Sequence, residues 1–285
     1  MIVSPSFDPI HFGRKLIQQA DGILIGAGAG MSVAAGLDFN DELVFAQMFP
    51  HLALLGIKNH YEMFKPQPKL SPEMKWAYHA VFVHHILKFT HQTQVYADLL
   101  KLLDVKNYFI QTSNLDGFFS KFGYDLKRIH HVHGLYSRMQ CTDRCSPNVY
   151  ESAPIIDGLF KNLSPDKSQI LDSKLIPRCT ECGSEMFFNI LVEAWFNQAP
   201  YKKENEDYEE WLKSMQEKKL VILDLGSGFD TPQAIRWKLE KLAYQMKYAQ
   251  FIRINSEDAQ IHPILEGRSL SIQGKLEDIL PQLIP

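Results

Sequence analysis

The stretch that decides the fold is Ile23 to Phe39, I-L-I-G-A-G-A-G-M-S-V-A-A-G-L-D-F. Ile23 to Ile25 is a short apolar run of the kind that forms a buried strand. Gly26 to Gly30 then turn the chain with three glycines, and small residues follow from Ser32 to Gly36. Small side chains suit a helix N-terminus lying close to a ligand. Glycine lets the backbone approach a phosphate, whose charge the free N–H groups and the helix dipole favour. The same pattern also serves as a tight turn that packs a helix on a sheet. It departs from the dehydrogenase fingerprint, which expects a second strand ending in an acidic residue about 20 positions on. Here Gly36 leads straight into Leu37-Asp38-Phe39, with a helical region beyond residue 40.

The chain has 285 residues, of which 45% are hydrophobic, enough to bury one large core with a smaller satellite domain. Its formal net charge is −3, so no basic field points to nucleic acid or an anionic membrane. No apolar run approaches the ~18 residues of a membrane span. Met1 to Ile10 lacks the basic and long apolar regions of a signal peptide. The chain reads as soluble and cytoplasmic.

Strands and helices alternate along the chain. Residues 7 to 20 read as a helix with Phe12, Leu16 and Ile17 on one face, and Asn40 to Gln67 as a mobile loop with short helices. Ser71-Pro72 is a good helix start, a capping hydroxyl before a proline at the first helical position. Two helices are expected from there to Leu103, and His79, His84, His85 and His91 among them lack metal-ligand spacing. Tyr108 to Thr112 is a strand that delivers T-S-N-L-D-G, Thr112 to Gly117. An amide and a carboxylate at a strand's carboxyl end can hold a ribose hydroxyl and a carboxamide, or can cap the next helix. Arg128 to Val132 is a strand ending at His133-Gly134. Tyr201 to Lys219 reads as a solvated, highly charged helix. Leu220 to Leu225 reads as an apolar strand running into G-S-G-F-D-T-P, Gly226 to Pro232, and Thr231-Pro232 as the start of a helix. Phe251 to Ile254 is a further strand, ending at Asn255-Ser256.

Four cysteines stand as Cys141-x3-Cys145 and Cys179-x2-Cys182. Paired thiolates at this spacing suit a tetrahedral zinc that staples a small, loop-rich module. With all four positions filled by cysteine no coordination site is open, so the zinc reads as structural.

Four motifs in order, together with the cysteines, resemble the sirtuin family over nearly the whole chain. G-A-G-M-S-V-A-A-G-L-D-F resembles its first signature, T-S-N-L-D-G its Thr-Gln-Asn-Ile-Asp-Gly, with Ser113 in place of Gln, and His133-Gly134 its catalytic His-Gly. Gly226 to Pro232 stands in place of its Gly-Thr-Ser loop. The resemblance implies an α/β fold: a Rossmann-like, mostly parallel sheet with helices on both faces, plus the small zinc-binding module. It implies residues 1–135 and 191–285 as a discontinuous NAD-binding domain, 136–190 as a zinc-ribbon-like module, and 40–105 as a helical insertion covering the cofactor. NAD⁺ is then a cosubstrate cleaved at nicotinamide rather than a hydride carrier. Gly28, Ala29, Gly30, Ser32, Ala35, Gly36, Asp38, Phe39, Ser113, Asn114 and Asp116 would contact it. So would His133, Gly226, Ser227, Gly228, Asn255, Ser256 and Lys275, with His133 as general base and Asn114 as its catalytic partner.

The resemblance implies a protein substrate. His133 argues for a deacylase that moves the acyl group of acyl-lysine onto ADP-ribose, and that is the reading adopted. The alternative is a protein mono-ADP-ribosyltransferase acting on a lipoylated carrier protein. The loops argue for it, because Asn40, G-S-G-F-D-T-P and the Glu193-Ala194-Trp195 that replaces Phe-Gly-Glu resemble the bacterial macrodomain-linked sirtuins. A module that binds NAD⁺ or ADP-ribose without turnover is the remaining alternative.

Overall fold

In the computed structural model, which describes residues 7–89, 93–104 and 106–285, Gly22–Ala27 is a fully buried strand, β1. The other strands are β2 (Tyr108–Thr112), β3 (Ile129–His131), β4 (Gly134–Cys141), β5 (Tyr150–Glu151), β6 (Met186–Ile190), β7 (Leu220–Leu225), β8 (Ala249–Asn255) and β9 (Ser269–Gln273). Six form one sheet in the order β3-β2-β1-β7-β8-β9, every pair parallel. The helices are α1 (Pro9–Gln19), α2 (Ala29–Ala34), α3 (Glu42–Met48), α4 (Pro50–Leu54), α5 (Pro72–Lys88), α6 (Gln94–Leu103), α7 (Phe118–Lys121), α8 (Ala153–Lys161), α9 (Lys202–Ser214), α10 (Arg236–Gln245) and α11 (Leu276–Leu283).

Alternation along the strands divides the core. Ile23, Ile25 and Ile110 face a large cluster with α1, α5, α6 and α11, whereas Leu24, Phe109, Ile222 and Phe251 face Tyr208 of α9 and Leu239 of α10. Strands buried on both faces read as near-continuous apolar runs, as these do. From β1 the chain crosses to β2 on one side and later returns to β7 on the other. A crevice opens at such a reversal, beyond the carboxyl ends of the strands.

The second sheet, β5-β4-β6, is antiparallel and ends at the cysteines. Helix α8 between its strands packs against α5. Neither β4, α8 nor the sixth strand β9 is among the expected elements, though Ser269 to Gln273 has an alternating burial that a period-2 reading detects.

Several expectations are corrected. Phe12 is 40% exposed, whereas Ile17 is buried as expected, together with Gly13. Asn40 to Gln67 holds the expected short helices, α3, α4 and a 3₁₀ turn at His60–Phe64, but they pack Phe45, Phe49, Leu52 and His60 into the interior rather than forming a loose loop. The helix with Arg236 begins at Arg236 rather than Thr231. Strand β7 carries a buried charge, Asp224. Ser71 caps α5 as expected, its Oγ accepting the Met74 N–H at 3.3 Å. His91 lies outside the described residues, among which no helix is long and apolar enough to cross a membrane.

Candidate active site

Two glycine loops meet at the switch point. The Gly28 N–H donates to Leu225 O at 3.1 Å and the Gly30 N–H to Gly226 O at 3.0 Å. A Cβ on Gly30 would stand 2.7 Å from the Gly226 Cα, and one on Gly226, at φ +66°, 2.5 Å from the Gly30 Cα. These two N–H groups are therefore committed inside the fold. What the glycines supply first is the closeness of two loops.

Beside that contact lies a cavity of ≈ 330 Å³, within the usual range of small-molecule sites, which is roughly 300–1,000 Å³. Strand β2 delivers Asn114 and Asp116 to it. Thr112 Oγ1 donates to Ala27 O at 3.1 Å and accepts the Asn114 N–H at 3.1 Å, fixing the turn. The Asn114 amide reaches across to Gly28 O at 3.0 Å. Asp116 accepts Ser32 Oγ at 2.5 Å and the Phe118 N–H at 2.8 Å, joining α2 to α7.

His133 lies on the turn between β3 and β4 and lines the same cavity. Its carbonyl accepts the Leu191 N–H at 2.8 Å. Gly134 follows at φ +80°, where a Cβ would fall 2.0 Å from Asn189 O, so the approach of β6 requires the glycine after His133. Burial, with a smaller contribution from Lys238, lowers His133 to about 4. The ring is neutral at physiological pH and free to accept a proton. Burial raises Asp116 above the ordinary carboxylate value, opposed by its bonds to Ser32 and Phe118. Tyr61 is raised to about 12 by burial, then by Asp230 and Asp38.

A buried ionic network carries the second loop. Asp224 accepts Ser227 Oγ at 2.6 Å and Arg253 Nε at 2.8 Å, and Arg253 continues to Glu240 at 2.6 Å. Arg236 donates to Ser227 O, Asp258 O and Gln260 O at 2.8–2.9 Å and lies 4.2 Å from the centre of the Phe229 ring. It ties the loop after β7 to the loop after β8.

The expected contacts divide into two groups. Gly28, Ala29, Ser32, Asp38, Phe39, Ser113, Asn114, Asp116, His133, Ser227 and Gly228 line the cavity. Gly30, Ala35, Gly36, Gly226, Asn255, Ser256 and Lys275 do not. Asn255 works within the fold, its amide donating to Ser227 O at 3.0 Å and its Oδ1 accepting the Glu257 and Asp258 N–H groups. Lys275 stands at the start of α11. The walls also include Tyr61, Phe64, Leu191, Val192, Asp230 and Thr231. Asp230 and Thr231 follow Gly228 in the glycine loop and could have been found there, whereas nothing local marks Tyr61 or Phe64.

The four cysteines converge. Their sulfurs lie within 4.8 Å of one another, with Cys141–Cys182 at 3.6 Å and Cys145–Cys179 at 3.5 Å. Sulfurs around a tetrahedral zinc, with bonds of ~2.3 Å, stand about 3.8 Å apart. A disulfide would need ~2.05 Å. Hydrogen bonds from Ser184 lower Cys182 to about 6, which favours its thiolate. The donor set fits a closed structural zinc.

The Sir2 family model matches residues 28–223, from the first glycine loop through most of β7. The chain belongs to the Sir2 family. Among curated relatives, a probable bifunctional ADP-ribose hydrolase/ADP-ribosyltransferase of Fusarium oxysporum f. sp. cubense is 30% identical, over 96% of this chain and 47% of the relative. The chain thus spans about half the length of that protein. A protein ADP-ribosyltransferase of Staphylococcus aureus is 25% identical, over 94% of this chain and 84% of the relative. A solved Sir2 homologue in complex with NAD shares the fold at TM-score 0.61 and 18% identity, over 96% of this chain and 92% of the other.

Proposed function

We propose that this Sir2 chain cleaves NAD⁺ between nicotinamide and ribose and passes the ADP-ribosyl group to a protein acceptor. The observation that carries the reading is the single cavity gathering Asn114, Asp116 and His133 against the two glycine loops. In the reaction the C1′–N bond breaks and its electrons leave with nicotinamide, which becomes neutral. The positive charge moves to the ribose, the acceptor's lone pair closes on C1′, and the acceptor's proton is given up to a base. Asp116 stabilises the ribosyl cation, Asn114 orients the ribose and carboxamide, and His133, neutral because buried, takes the proton. The four cysteines hold zinc as a structural ion. The division into 1–135 with 191–285, the 136–190 module and the 40–105 insertion belongs to the same proposal.

The names of the two relatives favour transfer over deacylation. So does the Glu193-Ala194-Trp195 that stands in place of Phe-Gly-Glu; it is held to the second sheet by Gln140 Nε2 on Trp195 O at 2.7 Å and by the Trp195 ring against Phe187 at 5.5 Å. Deacylation is the second reading, favoured by His133, which would then activate a ribose hydroxyl for attack on the acyl-lysine intermediate.

The test offers both acceptors at once. The protein is incubated with NAD⁺, acyl-lysine peptides and a lipoylated carrier protein, and the products are weighed intact. The expected product is a carrier heavier by one ADP-ribosyl group. Deacylated peptide with O-acyl-ADP-ribose would replace transfer by deacylation, and no nicotinamide release would overturn both.

A further inference from the structure

Lys121 ends the helix that begins beside Asp116, and it does not line the cavity. That helix, α7, has four residues, too few to hold its own shape. Its first turn is tied to the cavity, because the Phe118 N–H donates to Asp116 Oδ1 at 2.8 Å. Its last residue closes the same turn, the Lys121 N–H donating to Gly117 O at 3.2 Å. The Lys121 side chain then leaves α7 for the carboxyl end of α5. There its Nζ donates to Ile86 O at 2.6 Å, Leu87 O at 3.0 Å and Phe89 O at 3.4 Å. An ammonium has three N–H donors, and three carbonyls take them. The last carbonyls of a helix lack partners within it, and the helix dipole favours a cation beside them. Helix α5 is a firm anchor of 17 residues, held to α8 by the His84 ring on Phe160 at 3.8 Å and by Lys88 on Asp157 at 3.2 Å. The buried Phe118 ring stacks on Phe89 at 4.8 Å and completes the joint.

We infer that Lys121 is a positioning residue of this site: by fastening α7 to the carboxyl end of α5, it holds the Asp116 carboxylate where the ribose reacts. The inference rests on the NAD⁺-cleavage reading. A carboxylate held by the Ser32 hydroxyl alone could turn about that one bond. The Phe118 N–H is the second point of attachment, and it stays in place only as long as α7 does. Four residues of helix cannot supply that rigidity, whereas three bonds to a long helix can. During cleavage the positive charge moves from the nicotinamide ring onto the ribose, so a carboxylate there gains attraction as the transition state forms. Misplacing it costs the transition state more than it costs bound NAD⁺. Lys121 should therefore act on kcat more than on KM, without touching the substrate.

Three variants test this. Lys121→Met keeps most of the stem and removes the donors, and Lys121→Arg puts donors and charge back. Lys106→Met is the control for a merely structural tie, since Lys106 Nζ donates to Gln18 O at 3.0 Å outside the cavity. Nicotinamide release is measured against NAD⁺ concentration in each, with thermal unfolding beside it. Lys121→Met should lose roughly tenfold or more in kcat and keep the KM for NAD⁺ within about twofold. Lys121→Arg should recover most of that loss, and Lys106→Met should lower only the melting temperature. Wild-type kcat in Lys121→Met, an equal loss in Lys106→Met, or no recovery in Lys121→Arg would overturn the inference. Where Lys121→Met does not fold, Lys121→Gln, which keeps two donors without the charge, is read in the same way. If the unaltered protein releases no nicotinamide, the cleavage reading itself fails. Hydrogen exchange at the Phe118 amide then decides the clamp without turnover. Exchange about tenfold or more faster in Lys121→Met, with the amides of β1 unchanged, supports it, and an unchanged Phe118 amide overturns it.

Discussion

The hydroxyl of Ser32 lies 2.5 Å from the carboxylate of Asp116, joining two sequence motifs 84 residues apart at the floor of one cavity. The bond, with that from the Phe118 N–H, fixes Asp116 where α2 and α7 meet. Ser32→Ala removes a bond that favours the charged form of Asp116. The expected outcome is an acid limb of NAD⁺ cleavage displaced to higher pH, with folding retained. An unmoved profile would detach Asp116 from the chemistry.

His133→Ala should leave ADP-ribose binding, measured by calorimetry, within a few-fold of the unaltered protein while product formation falls by about 10²-fold or more. Because burial holds His133 near 4, its own protonation should not limit the rate at any pH above about 5. A wild-type rate in this variant would remove it as the base.

The close approach of Gly30 and Gly226 predicts that Gly30→Ala destabilises the fold. The added methyl meets backbone 2.7 Å away, which cannot rotate aside. A loss of about 1–3 kcal/mol in urea unfolding is the expected range for overpacking. A loss under half a kcal/mol would show that the loops have room to part.

Asp224 and Arg253 are both fully buried. Arg253→Met should cost about 3–5 kcal/mol, because it leaves a carboxylate without its counter-ion. Changing Asp224→Leu in the same chain should recover much of that loss while still weakening NAD⁺ binding, since Ser227 loses its anchor. Additive losses on denaturant unfolding would mean that the pair is not coupled.

Acid should weaken the fold through its buried histidines. Burial lowers His60 and His79 to about 3 from an ordinary value of 6.5. Between those limits the unfolded chain binds the extra protons, so stability present above pH 6.5 is lost as pH falls toward 3. His79 has a buried Nδ1 with no partner. His79→Leu should therefore flatten the melting temperature against pH over this window, and an equally steep curve would place the acid sensitivity elsewhere.

The site was legible in sequence where its chemistry is local. Gly28 to Phe39, Thr112 to Gly117 and the paired cysteines declare themselves because a turn, a strand end and a metal each need particular residues at short spacing. What stayed hidden depends on partners far along the chain. Gly30 needs its missing side chain because of Gly226, and Asp224 is tolerated in a buried strand because Arg253 lies beside it on β8. Glu204 reads as one more charge on a solvated helix until β3 is placed next to it. Strand β4 runs through Ser137-Arg138-Met139-Gln140, too polar to announce itself, and its pairing with β6 is what makes it a strand.

That strand pair has two ends. β4 begins at Gly134, beside His133, and finishes at Cys141, while β6 carries Met186 opposite Cys141 and Ile190 opposite Gly134. The five residues of β6 between those pairings span about 14 Å, and β4 takes up its three extra residues in an irregularity between Leu135 and Met139. The thiols and the histidine thus stand at the two ends of one strand pair. A disturbance at the sulfurs, by loss of a metal or a change in oxidation, would therefore have a path of paired strands to the turn that carries His133.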